Sequence, residues 1–192
     1  MDSTFGYISI MPNKFWDFSV KIYQHPDVER ACIELQDKHD LDVVMLFYCI
    51  WAGVFRGKLE DSIYTRASTF SLSWNDGVVA PLREARRWMK VSQDGQTIPG
   101  TSLREQIKVV ELDAEHFQMN TLEGFYSEAK ETPFSTDEQL LASAINLARY
   151  CADNDVVFDA SLLKKISVLL AAAIEGISIE SALGILSQAR FQ

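Results

Sequence analysis

The chain has 192 residues, 47% of them hydrophobic and 23% charged, and carries a formal charge of -9. That length supports one generous domain that buries roughly 70% of its unfolded surface, so neither disulfides nor a structural metal is needed to hold it. The composition is that of a globular protein rather than a disordered chain, and the net negative field argues against nucleic acid as a general partner.

Residues 1–11 alternate in a strand-like way; everything after them follows a helical period. A first helix is expected after Asn13, a good cap, with Phe15, Phe18, Ser19 and Ile22 on one face and Trp16 and Tyr23 beside it. His25-Pro26 ends it, and Pro26 suits the first turn of a second helix that turns Val28, Ala31, Cys32 and Leu35 inward. The segment from Asp42 to Phe55 is apolar on every side, so it is read as the buried central helix of the fold, stopped at Gly57. At that length it falls short of the about 18 apolar residues a membrane span requires.

A weaker helix is expected over 60–70 and another from Ser73 or Trp74 to Lys90, with Pro81 kinking it or opening its second half. Residues 91–101 read as a loop. Ser102-Leu103-Arg104-Glu105 has the pattern of a capping box and announces a long helix to about Lys130. Its apolar positions Leu103, Ile107, Val110, Ala114 and Phe117 repeat at 4-3-4-3 spacing, a seam that calls for a partner helix. A second capping box at Ser135-Thr136-Asp137-Glu138 opens three shorter helices, near 136–152, 160–175 and 178–190. The expected architecture is all-α, a multi-helix bundle-like domain over 1–134 with a C-terminal helical extension over 135–192 packed on it.

Several clusters bear on chemistry. Arg83, Arg86, Arg87 and Lys90 recur at helical spacing and form one cationic stripe. Guanidinium groups grip carboxylates or phosphates in pairs, so the stripe could hold an anionic or phosphorylated metabolite. It could equally pair with Glu111 and Glu115, an i, i+4 acidic couple on the long helix, and internal pairing is the commoner use of such faces. Asp37, His39, Asp40 and Asp42 match no calcium-loop spacing and are better explained as helix caps. The carboxylate-x-x-His pattern of Asp113 and His116 lacks the second copy that a di-metal bundle requires. Cys32, Cys49 and Cys151 are isolated from one another and sit in apolar surroundings, as buried thiols in a reducing compartment do. There is no nucleophile elbow and no glycine-rich phosphate loop.

Phe15-Trp16-Asp17-Phe18-Ser19 with Tyr23, Ala31-Cys32, Leu35-Gln36-Asp37 and Asp42-Val43 form a set of blocks that continues in Val79-x-Pro81-Leu82-Arg83, Arg86-Arg87, Gln106-Ile107-Lys108 and Glu111-Leu112-x-Ala114-Glu115. Over about 15–122 the set resembles an uncharacterised bacterial family catalogued as a domain of unknown function. Asp40 stands where that family usually has glycine, and Val44 where it commonly has asparagine. The resemblance implies a small helical protein and carries over no catalytic residues.

The functional expectation is a non-enzymatic interaction or regulatory module of the cytoplasm, since the N-terminal residues lack a basic region and a long apolar core. Neither cofactor nor metal is called for. Its partner would be a second protein or a second copy joined through the seam of the long helix. The alternative is a small-molecule binding protein or enzyme that uses the arginine stripe, with Glu111 or Glu115 as base.

Overall fold

The computed structural model describes residues 13–126 and 134–189. The alternating segment at 1–11 and the expected helix end at Lys130 lie outside them. Among the described residues the chain forms α1 (Lys14–Tyr23), α2 (Pro26–His39), α3 (Val43–Phe55), α4 (Asp61–Trp74), α5 (Ala80–Val91), α6 (Ile98–Glu123), α7 (Thr136–Asp153), α8 (Ala160–Ala173) and α9 (Ile179–Ala189), and no strand. The fold is an all-α, multi-helix domain.

α3 is its centre. Every residue from Val44 to Val54 is buried, and Tyr48, Cys49, Ile50 and Ala52 are wholly out of solvent. A helix without a polar face must be enclosed, and α7 lies closest along it. The approach is tight at Gly53, where an added Cβ would land on the backbone of Ser143. Asn146, also on α7, spans the end of α3 from below: its amide donates to Cys49 O (3.1 Å) and Gly57 O (3.3 Å), and its Oδ1 accepts from Leu59 N (2.8 Å). Phe15 from α1 closes another side, with its ring 5.6 Å from Tyr48 and 5.4 Å from Trp51. Cys32, Cys49 and Cys151 are free, buried thiols, and burial pushes Cys32 and Cys151 up to about 12.

The helix ends follow local chemistry. Asn13 caps α1 by accepting from Trp16 N at 2.8 Å, and Pro26 sits in the first turn of α2. Asp40 closes α2 in the left-handed region at φ 54°, the conformation a family glycine would take without strain. Asp42 then caps α3, and Ser135 and Glu138 form the capping box of α7.

Two boundaries differ from expectation. The helices expected at 60–70 and 73–90 are one run, because residues 75–79 continue α4 into α5 as a π-turn in which Ala80 N reaches back to Asn75 O. Pro81 has no N–H and its ring crowds the carbonyl four residues earlier; the wider turn just before it relieves both problems. α6 begins at Ile98 rather than at Ser102. Thr97 supplies the cap, its Oγ1 accepting from Gly100 N at 3.2 Å, with Pro99 in the first turn. The Ser102–Glu105 pattern therefore falls inside the helix. α6 ends at Glu123 and passes into a short 3-10 turn over Gly124–Tyr126.

Candidate functional site

α5 and α6 run side by side, joined by a short turn, and α5 has no buried residue. What holds the two together is charge. Arg83 donates through Nε to Glu111 (3.1 Å) and through a terminal nitrogen to Glu115 (2.8 Å). Arg86 grips Glu111 with two donors, at 2.5 and 3.1 Å. One turn after Arg83, Arg87 reaches across to Asp37 on α2. With its amide oxygen turned toward Arg83, Gln36 accepts from both terminal nitrogens of that guanidinium. The i, i+3, i+4 spacing of the arginines explains the arrangement: 83 and 86 share the face turned to α6, and 87 points toward α2.

The electrostatics follow from burial. Desolvation works to raise the Glu111 carboxyl, but the hydrogen bond and charge of Arg86, with the charge of Arg83, outweigh it and hold Glu111 below its usual range. Glu115 goes the other way: burial dominates, and its carboxyl rises despite Arg83. Arg86 is held more firmly protonated, chiefly by its hydrogen bond to Glu111.

Behind this layer lies a polar cluster that sequence reasoning missed. Asp42 Oδ2 accepts from Ser71 Oγ and Gln118 Nε2, each at 2.7 Å, while Oδ1 caps Val44 N at 2.9 Å. Burial raises the Asp42 carboxyl despite those bonds. Gln118 Oε1 is buried with no hydrogen-bond partner among the described residues. Asp42 could be read as a cap, but its neighbours come from α4 and α6, far away in sequence, and no spacing signals them.

A cavity of about 510 Å³ opens between the end of α2 and α5, with Gln36, Asp40, Arg83, Arg87 and Trp88 in its wall. Two of the stripe's four cations therefore face a concavity, each already bonded to a carboxylate. Lys90 is exposed and makes no ion pair among the described residues. His116 packs against Trp16, ring centroids 4.3 Å apart and the rings tilted by 35°, and no group of metal-ligating side chains occurs among the described residues. No helix there is long and apolar enough to cross a membrane.

The outer side of α6 contrasts with its charged inner side. Of the five seam residues only Ala114 is buried and Ile107 partly so; Leu103, Val110 and Phe117 stay 51%, 51% and 44% exposed. Trp88 and Ile98 are more open still, at 61% and 89%. Residues 14–122, which contain α1 to α5 and nearly all of α6, match the family described as "Protein of unknown function (DUF2390)". The chain belongs to this family. No curated protein and no solved structure matches it. The DUF2390 region thus holds the whole arginine–glutamate layer and the exposed apolar side of α6, while α7, which encloses its central helix, lies beyond the matched residues.

Proposed function

We propose that this DUF2390 protein is a non-enzymatic interaction or regulatory module whose contact surface is the outward side of α5 and α6. The observation that carries the reading is the row of large apolar side chains left in solvent on these two helices, Trp88, Val91, Ile98, Leu103, Val109 and Val110. Apolar residues scattered singly over a surface need no partner, but six large ones gathered on one pair of helices, each at least half exposed, call for one. The engagement of Arg83 and Arg86 by Glu111 and Glu115 supports the same reading, since those guanidinium groups are already neutralised within the protein. A cytoplasmic setting and a partner protein or second copy belong to this proposal.

The second reading, an anionic-ligand site, draws on one observation: the cavity beside Arg83 and Arg87. A ligand there would have to displace Asp37 from Arg87 or add to a guanidinium that already holds two carboxylates.

Native mass spectrometry on the untagged protein, purified gently from its own host, separates the two. The interaction reading expects a complex with a second polypeptide or a second copy, without a small adduct, and expects Trp88→Glu to weaken it. An adduct of roughly a few hundred daltons that vanishes in Arg87→Ala would overturn it in favour of the anion site, because small-molecule pockets of this volume hold ligands of that size.

A further inference from the structure

The exposed side of α6 continues into a groove. Leu103, Val110, Phe117 and Thr121 are separated by seven, seven and four residues, so they lie along one face of the helix. The first three form an apolar ridge, and Thr121 is already part of the wall of a shallow cavity of about 790 Å³ between α4 and the end of α6. Thr65, Thr69, Phe70 and Phe125 share that wall with Arg66 and with Asp61, whose carboxylate is held by Arg149. Four rings connect ridge and groove without a gap: Phe117 lies 4.6 Å from Trp74, Trp74 6.3 Å from Phe70, and Phe70 6.2 Å from Phe125. Trp74 is fixed in the row by its Nε1, which donates to Ala114 O at 3.0 Å.

Each half carries one charge with no ion-pair partner among the described residues. In the groove it is Arg66, exposed and resting 4.1 Å over the Phe125 ring. On the ridge it is Asp113, exposed and one turn before Phe117.

We propose that a second copy of this chain occupies the groove, its α6 ridge crossing antiparallel about a twofold axis at Phe117. This rests on the interaction reading above and names its partner. The register follows from the helical rise. With Phe117 on the axis, the partner copy's ridge one heptad back stands about 10 Å from the axis, at the level of Gly124 and Phe125 where the groove opens. The second copy's position 113 then falls at the level of Thr121, within reach of the Arg66 guanidinium. Ridge and groove, acid and base, are thus each supplied by both copies, as an isologous interface demands. A different partner would have to match both halves independently; a second copy matches them by symmetry.

The test is sedimentation equilibrium of the full chain over roughly 1 to 100 μM, for the native protein and for Arg66→Glu, Asp113→Lys and the double variant. Both substituted positions are exposed, and unchanged thermal unfolding shows that the monomer fold is intact. The expected result is a dimer whose dissociation constant rises about tenfold or more in each single variant and returns to within about threefold of native in the double, since the charges are exchanged rather than lost. A native chain that stays monomeric over that range overturns the proposal, as does a dimer indifferent to the single variants or one not restored by the double. Failure here and failure of the interaction reading are distinguishable. A monomeric chain that still binds a different polypeptide, and loses it in Trp88→Glu, defeats only the second-copy assignment.

Discussion

Asn146 and Asp42 are the residues on which the polar interior turns. Asn146 serves three backbone groups at the end of α3 from a position 2% exposed. Replacing it with alanine strands the Leu59 N–H and takes one donor from each of two carbonyls, and about 2–4 kcal/mol of stability is expected to go with them, read by urea unfolding. Asp42 makes a prediction in pH. Its carboxyl is raised in the folded state by burial, so the folded protein holds that proton more tightly than the unfolded chain does. Between the ordinary aspartate value and the raised one, the folded state binds more protons, and stability therefore falls as pH rises through that window. Arg83, which lowers Asp42, and Glu115, itself raised, are its charged neighbours in this network. Glu111, held low, contributes the opposite slope at the acid end of the range. Asp42→Asn keeps a good cap and is expected to remove only the falling component, visible as the difference between the two proteins' urea midpoints across pH.

At the scale of elements, α5 depends on α6 through ion pairs rather than through buried apolar area. Arg83→Ala leaves Glu111 with one partner and Glu115 with no ion-pair partner among the described residues, in surroundings largely closed to water. A loss of about 3 kcal/mol is expected, against under about 1 kcal/mol for Arg87→Ala, whose pair with Asp37 is half exposed. Thermal unfolding of the two variants side by side checks the contrast. Much of this level was legible beforehand. The unbroken apolar run at 43–55 has one physical solution, enclosure, and the caps at Asn13, Asp42 and Ser135 act through their own neighbours in sequence. What was not legible depended on competition. Ser102 and Thr97 both carry a capping signal, and the one followed by Pro99 starts the helix. The 4-3-4-3 seam predicts a helix correctly but not how far it is rotated about its axis. α6 turns so that Glu111, Ala114 and Gln118 face inward, leaving Leu103, Val110 and Phe117 at the edge. That rotation is set by the arginines of α5 and by Ser71 and Asp42, contacts that no local pattern encodes.

Across the whole molecule, the matched DUF2390 residues and the stretch after them share one core. Leu140, Ala144, Leu147 and Cys151 from α7 and Leu162, Ile166, Leu169 and Leu170 from α8 belong to the same buried cluster as α3. A chain ended at Phe134 would leave one side of an all-apolar helix in water, and it is expected to lose its cooperative thermal transition and to aggregate. Gly53→Ala tests the same contact without truncation: its methyl group meets the backbone of Ser143 as well as its hydroxyl, and the backbone cannot swing aside, so about 3 kcal/mol of destabilisation is expected in urea.

Cys32, Cys49 and Cys151 sit on α2, α3 and α7, and all three thiols are closed to solvent and held protonated by burial. Only an opening of the structure exposes them, and it is the thiolate, not the thiol, that attacks an alkylating reagent. Each cysteine is therefore a clock for the release of its own helix, already built into the chain and needing no label. If the three react at one common rate that slows as stability is added, α7 separates from α2 and α3 only when everything unfolds. If Cys151 reacts ahead of the other two, the helices after Phe134 open first, and the same experiment gives the free energy at which they do so.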